Sequence, residues 1–307
     1  MTVSCYKLTP PFRKDFIEWY PYLKPENISP TTPWLPWLQR VFAGDTSGIH
    51  NTFFVARDDD AHRCIGVVWR AVSNATPEHA HLGWFLVEDE YQGQGVGRQL
   101  LENYLDDTES SGVEMVMLPT QTSNTRAVGM YQRRGWEITM AQPDEGTRCW
   151  MVREPDFDYQ EEYFRADGTP LSYGPVEPRD YVGLDYLMCR PVTKSRLLPA
   201  FAGQTRFCSF ITNWMGTKYL VARQGTKPVG LATVYEHRHY FDAFALDEGI
   251  LTELLTKLAA DFPNGQALVA ETDERKQRAL RGLGFRLKSV HTMELPGETV
   301  RLRRMSR

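Results

Sequence analysis

Residues 79–105 read HAHLGWFLVEDEYQGQGVGRQLLENYL, and three kinds of segment meet in them. His79 to Val87 is mostly apolar and aromatic, as a central strand would be. Gln92-Gly93-Gln94-Gly95-Val96-Gly97 then sets glycines at alternate positions. From Val96 the apolar residues fall at Val96, Leu100, Leu101, Tyr104 and Leu105, a helical stripe with charge between them. A strand, a glycine-rich turn and a helix start therefore follow one another directly. The first N–H groups of a helix have no acceptor within it, and aligned peptide dipoles add partial positive charge there. Phosphate is the natural ligand of such a turn, although a tight strand-to-helix connection alone would also use glycine.

Spacing separates the families that build this cradle. A P-loop needs Gly-Lys-Ser/Thr at its end, but Gly97 is followed by Arg98 and Gln99. A dinucleotide fingerprint counted from Gly93 needs glycine where Arg98 stands. What remains is Gln-x-x-Gly-x-Gly, preceded by Val87-Glu88-Asp89-Glu90-Tyr91. Further on, Val113–Leu118 reads as a strand, and Asn124-Thr125-Arg126-Ala127-Val128-Gly129-Met130-Tyr131 leads to Gly135-Trp136. Asn124 and Tyr131 are two helical turns apart, hence on one face, and Gly135 supplies a helix stop. The two motifs, in this order with a helix and a strand between them, resemble the GNAT superfamily of acyl-coenzyme A N-acyltransferases.

The resemblance implies a coenzyme site and roles for its residues. Gln92, Gly93, Gln94, Gly95, Val96, Gly97 and Arg98 would hold the pyrophosphate. Asn124 would bond the pantetheine arm, and Tyr131 would face the sulfur as general acid to the leaving thiolate. Backbone N–H groups of Phe85, Leu86 and Val87 would hold the thioester carbonyl where the family's strand splays from its neighbour. A base is also needed, because an ammonium has no lone pair. His81 shares a strand face with Gly83, Phe85 and Val87 and suits proton removal near neutral pH. Glu78 is the alternative base, and a structural role for His81 stays open.

Composition bounds the rest. The 307 residues suit two domains, of about 150 residues each. A hydrophobic share of 42% with 24% charged residues is that of an ordinary globular chain. No apolar run reaches the roughly 18–20 residues of a membrane span, and the N-terminus lacks a signal-peptide core, so a cytoplasmic protein is expected. The five cysteines are scattered without a C-x-x-C, which fits reduced thiols. Net charge is −4, and the basic run Arg301-Leu302-Arg303-Arg304 reads as a solvated strand end. No nucleic acid and no membrane is expected as partner. His79-Ala80-His81 and His237-Arg238-His239 have metal-compatible spacing but no third ligand near in sequence, so no metal is expected.

In chain order, Val3–Leu8 is a strand and Phe12–Tyr20 a helix, followed by a stretch with Pro21, Pro25, Pro30, Pro33 and Pro36. Trp19, Tyr20, Tyr22, Trp34 and Trp37 gather there. By resemblance this region walls the acceptor site, where aromatics could sort amines; core and lid packing is the plainer account. Asn51–Arg57 and Cys64–Val72 are strands around a charged tip, and Trp136–Met140 with Cys149–Arg153 complete a first unit. Residues 155–178, punctuated by Pro155, Asp167-Gly168, Pro170, Gly174, Pro175 and Pro178, read as a linker. Helices at Asp180–Met188, Thr193–Phe201, Ile250–Ala260 and Glu274–Leu283 and strands at Lys218–Arg223, Val229–Glu236 and Ala267–Glu271 then repeat the order of the first half.

The expected fold is α/β (α+β): two tandem GNAT-like domains, each a mixed, mostly antiparallel twisted sheet flanked by helices. They span 1–154 and 179–307. The second copy departs from the motif. Setting Leu254-Leu255 on Leu100-Leu101 puts Leu246-Asp247-Glu248-Gly249-Ile250-Leu251 at the loop, with one glycine and two carboxylates. Setting Gly284-Phe285 on Gly135-Trp136 puts Asp273 opposite Asn124 and Leu280 opposite Tyr131. Carboxylates repel anions, so this copy is expected to be degenerate and to hold no coenzyme. The function expected is transfer of an acetyl group from acetyl-CoA to a primary amine of a small molecule or amino-acid derivative, in a monomer or homodimer. The layout is similar to tandem bacterial enzymes of the mycothiol synthase kind. The alternatives are a protein or peptide N-acetyltransferase, and a non-catalytic CoA-binding sensor or scaffold.

Overall fold

The computed structural model describes residues 2–21, 35–44, 46, 48–141, 148–156, 158–189, 217–235, 239–295 and 298–307. By compactness the chain divides into two units, Met1–Leu118 and Pro119–Arg307. The described strands form two seven-stranded sheets. The first holds β1 (Val3–Leu8), β2 (Ile49–Asp58), β3 (Arg63–Ser73), β4 (Thr76–Val87), β5 (Met115–Gln121), β6 (Glu137–Ala141) and β7 (Arg148–Arg153), in the order β1-β2-β3-β4-β5-β7-β6. The second holds β8 (Leu171–Gly174), β9 (Thr217–Gln224), β10 (Lys227–Tyr235), β11 (Tyr240–Ala245), β12 (Gln266–Ala270), β13 (Arg286–Leu295) and β14 (Glu298–Ser306). Its order, read from β8, is β8-β9-β10-β11-β12-β14-β13, the first sheet strand for strand. In both, antiparallel neighbours lead to one parallel pair, β4–β5 and β11–β12. A parallel pair needs a crossover, and α3 (Val96–Ser110) and α7 (Glu248–Asp261) supply it. The fold read from the sequence is the fold observed, two mixed and mostly antiparallel sheets flanked by helices.

Two glycines fix the alignment of the copies. A Cβ on Gly66 would stand 3.0 Å from Leu100 Cδ1 and 3.1 Å from the Leu86 carbonyl; on Gly230 it would stand 2.6 Å from Leu254 Cδ1 and 3.3 Å from the Phe244 carbonyl. Each glycine lets its crossover helix press a leucine onto the sheet backbone. Leu100 and Leu254 thus occupy the same place, as the helix stripes imply.

In the first unit the sheet is covered on both faces. On one, α3 buries Val96, Leu100, Leu101 and Tyr104, with the Tyr104 ring 5.5 Å from Phe54. Buried Arg70 reaches Thr108 Oγ1 at 2.9 Å and Asp107 at 2.6 Å, so its charge is paired at the helix end. On the other face α1 (Lys14–Trp19) and α2 (Leu35–Ala43) bring Phe12, Phe16, Tyr20 and Phe42 against Phe53. The sequence reading missed α2 inside its proline-rich stretch. Pro36 is its second residue, where a missing N–H costs nothing because that group has no intrahelical acceptor.

Three further differences have local causes. The segment 155–178, expected as a linker, contains α5 (Tyr159–Tyr163) and β8, which pairs with β9 from Leu171↔Gln224 to Gly174↔Val221; the expected helix that follows is α6 (Tyr181–Met188). A four-residue edge strand pairs on one side only and leaves little pattern in sequence. β11 was also missed, because YFDAFA carries Asp242 at a buried position. β13 and β14 form a long hairpin where only a strand end was expected. Of the expected features, the Thr193–Phe201 helix, His237, Tyr22 and Trp34 lie outside the described residues. No helix among the described residues is long and apolar enough to cross a membrane.

Candidate active site

β4 is irregular where it leads into the glycine turn. Val67 pairs with Leu86 but Trp69 pairs with Gly83, so Trp84 and Phe85 together oppose one residue of β3. This is a β-bulge, and Trp84 sits in it at φ 46, a left-handed conformation that a bulky side chain rarely adopts. β4 pairs with β5 only over His79–His81 and Met115–Met117, so the parallel ladder stops before the bulge. The Glu88 N–H donates to Ile65 O at 2.9 Å across to β3. By alternation the Leu86 N–H faces β3 as well, and that of Val87 faces the side where β4 leaves β5. The expected splay is therefore present at Phe85–Val87.

The turn beyond it is shaped by its own side chains. Gln92 Nε2 donates to Val87 O (3.1 Å) and Asp89 Oδ1 (2.8 Å), and Gln94 Nε2 donates to Glu90 O (2.6 Å). Gly93 and Gly95 have φ of 81 and 90, which glycine adopts without strain. Gly95 is the N-cap of α3 and brings no side chain to it. The first i→i−4 bond is Gln99 N–H to Gly95 O, so the N–H groups of Val96, Gly97 and Arg98 precede it. A Cβ at Gly95 would meet no protein atom within 4 Å, whereas one at Gly97 would stand 3.5 Å from Val87 Cγ2 and 3.8 Å from Phe85 Cζ. Phe85, Val87 and the turn thus meet at one place, and the donors offered there are backbone groups. Arg98 turns its guanidinium to Glu102 at 2.8 Å on the exposed helix face. Tyr91 anchors the turn from below by donating to Asp58 at 2.9 Å.

His81 is buried against the α1/α2 side, its ring 5.5 Å from Trp69; it shares that face with Gly83 but not, as expected, with Phe85 and Val87, because the extra residue of the bulge reverses the alternation and turns those two toward α3. Burial lowers its pKa from 6.5 to about 3, so it is neutral at neutral pH. Glu78 is half-buried on the same strand, its carbonyl accepting from Glu114 N–H at 2.8 Å. In the second compact unit, Asn124 is the N-cap of α4 (Thr125–Gln132), and its Oδ1 accepts from Ala127 N–H at 3.2 Å. Its acceptor end being used, the Asn124 amide can offer N–H to a ligand. Tyr131 is buried at the last turn with its ring 5.7 Å from Trp136, and Gly135 follows at φ 89.

The second copy shows what a closed version of this geometry looks like. β11 pairs with β10 in unbroken register from Gly230↔Ala245 to Tyr235↔Tyr240, so it has no bulge. Asp247 is the N-cap of α7, and its Oδ1 takes the N–H groups of Gly249 (2.8 Å) and Ile250 (3.0 Å). The protein's own carboxylate thus takes up the first donors of this helix. Asp273 caps α8 (Glu274–Gly282) by accepting from Lys276 N–H at 3.0 Å, in the role of Asn124. Beyond it, two side chains cross from α8 to β11 and the loop that follows. Arg275 donates to the carbonyls of Leu246 (2.6 Å) and Ala245 (3.3 Å), and buried Lys276 bonds Asp242 at 2.7 Å with Asp273 at 3.7 Å. The sequence reading missed this lysine and its Asp242 partner; a charged residue inside an apolar strand was the available signal.

The matches to known proteins cover this half. Residues 11–136 match the model described as the acetyltransferase (GNAT) family. Over 101 residues the chain is 28% identical to the ribosomal protein bS18-alanine N-acetyltransferase of Escherichia coli, covering 33% of this chain and 64% of that one. Over 91 residues it is 36% identical to the mycothiol acetyltransferase of Mycolicibacterium vanbaalenii, covering 28% of this chain and 30% of that one. The chain thus spans less than two-thirds of the length of either relative. A solved structure of the ribosomal-protein-S18-alanine N-acetyltransferase from Escherichia coli overlaps 51% of this chain and 96% of that one, at 20% identity and a TM-score of 0.37. The bulged strand, the glycine turn and the helix from Asn124 to Tyr131 all lie within the matched span, and over residues 11–136 the chain is similar to the acetyltransferase (GNAT) family.

Proposed function

We propose that residues 1–154 transfer an acetyl group from acetyl-CoA to a primary amine of a small molecule or amino-acid derivative, by direct attack. Residues 179–307 would form a degenerate copy that holds no coenzyme, with 155–178 joining the two. The observation that carries the reading is the glycine-capped start of α3 beside a strand that leaves its parallel neighbour at Phe85–Val87. The residues fit the group: donors without helical acceptors surround a position that a Cβ at Gly95 would enter without touching protein. When bound, the coenzyme supplies an activated acyl carbon and a thiolate leaving group.

In this reading the N–H groups of Val96, Gly97 and Arg98 receive phosphate oxygens, and the Val87 N–H polarises the acyl carbonyl. The amine nitrogen attacks the carbonyl carbon, the carbon–sulfur bond breaks, and Tyr131 gives its phenolic proton to the departing sulfur. The nitrogen gives up one proton on becoming an amide, to His81 or, in the alternative, Glu78. With its pKa near 3, neutral His81 accepts a hydrogen bond well but is several units too weak to strip an alkylammonium. The acceptor therefore enters this site as the free amine.

The deciding experiment is calorimetric titration of the full chain with acetyl-CoA. One site per chain, lost in Gly95→Glu, is expected. Two sites would overturn the degenerate second copy, and no binding would leave the scaffold reading in its place.

A further inference from the structure

Past the bulge, β4 keeps β3 on one side and has lost β5 on the other, because the parallel ladder ends at His81↔Met117. A strand end paired on one side only is open to local fraying. In the acetyl-transfer reading, the Val87 N–H on the open side must nonetheless keep a fixed direction toward a carbonyl. The peptide that follows it is held at both ends. The Val87 carbonyl accepts from Gln92 Nε2 at 3.1 Å, and the Glu88 N–H donates to Ile65 O at 2.9 Å.

The Glu88 side chain adds anchors from two other elements. Its Oε1 accepts from Nε1 of Trp19, on α1, at 2.8 Å across 69 positions of chain. Its Oε2 lies 3.3 Å from Nη2 of Arg63, at the start of β3. Arg63 is also paired with Glu90 and donates to Tyr91 Oη at 3.4 Å. The two anchors are unequal. The Arg63 side chain is 46% exposed, so water and salt screen its charge, whereas that of Glu88 is only 22% exposed. The indole N–H to this carboxylate is a charge-assisted bond and the stronger hold.

Alternation explains how α1 reaches this point. Val87 turns toward Gly97 and α3, so Glu88 turns to the opposite face, where Trp19 meets it. Phe16 and Tyr20, close to Trp19 in sequence, are fully buried with their rings against Phe53. The indole donor is therefore delivered by a segment seated in the core.

We propose that Glu88 is a positioning residue for the acyl-carbonyl donor at Val87, and that Trp19 is the anchor through which α1 fixes it. The proposal rests on the acetyl-transfer reading above. Both residues act through the direction of the Val87 N–H, because a hydrogen bond weakens steeply as its angle departs from linear.

The test is infrared spectroscopy of acetyl-CoA, isotopically labelled at the acetyl carbonyl carbon and bound to the full chain, with calorimetry recording its affinity. Wild type is expected to lower the carbonyl stretch from its position for free acetyl-CoA. Trp19→Phe removes the indole donor and Glu88→Ala removes its acceptor. Each should return half or more of that shift while retaining the acetyl-CoA affinity that reports an intact fold. Glu88→Gln keeps an acceptor for the indole and should keep the wild-type band. A bound wild-type band at the free position, or a shift unaltered in Trp19→Phe and Glu88→Ala, overturns the proposal and leaves the acetyl-transfer reading standing. A wild type that binds no acetyl-CoA brings down that reading and the proposal with it.

Discussion

His81 shows how burial overrides a side chain's ordinary chemistry. A histidine in the unfolded chain takes a proton near pH 6.5, but the folded one does so only near pH 3, because burial disfavours the charged ring. Between those values the unfolded state binds one more proton than the native state. The stability linked to this group is therefore complete above about pH 6.5 and falls by about 1.4 kcal/mol per unit as pH drops. Urea melts between pH 6.5 and 5, above the carboxylate range, should show that slope, and His81→Phe should flatten it. An unchanged slope would remove His81 as its source. Tyr131 carries the opposite kind of expectation, chemical rather than thermodynamic. Tyr131→Phe keeps the buried ring beside Trp136 and removes only the proton donor. A fall in kcat of about 10²-fold or more is expected, with the melting temperature little changed; unaltered turnover would cancel the role. Residues such as Gly93, Gly95 and Asn124 were legible in sequence because what they supply is local, a left-handed turn or a cap. The seat of Trp84 was not, since the rings it stacks against are brought to it from β2 and β3.

At the scale of elements, the two crossover helices are built alike and end differently at their N-termini. Glycine starts α3 and brings no side chain to its first donors, while Asp247 starts α7 and accepts from them. At α8 the closure is stronger, because Lys276 ties the helix to β11 through Asp242 with both groups buried. Lys276→Ala strands that carboxylate, and a loss of about 3–5 kcal/mol is expected in chemical denaturation. Lys276→Met with Asp242→Leu should recover most of it, since two apolar groups leave no unpaired charge. A single-variant loss under about 1 kcal/mol would show that the pair is not what holds β11 and α8 together. The helices were readable because a 3.6-residue stripe repeats several times along each. β11 was not, because the aspartate that closes it is also what breaks its apolar pattern.

For the whole molecule, the sequence by itself determined the two-fold repetition of the sheet, the glycine-rich turn before the crossover helix at Gln92–Gly97, and the replacement of its glycines by carboxylates in the second copy. Each follows from periodicity, glycine placement or charge within a few neighbouring residues. Only the tertiary structure decided where β4 leaves β5, how Trp84 is seated, and what fills the second copy. Lys276 meets Asp242 across 34 positions of chain, and Trp69 meets Asn51 across 18. Such pairs form because sheet register and helix docking bring them within hydrogen-bond reach, and nothing in local propensity encodes that distance.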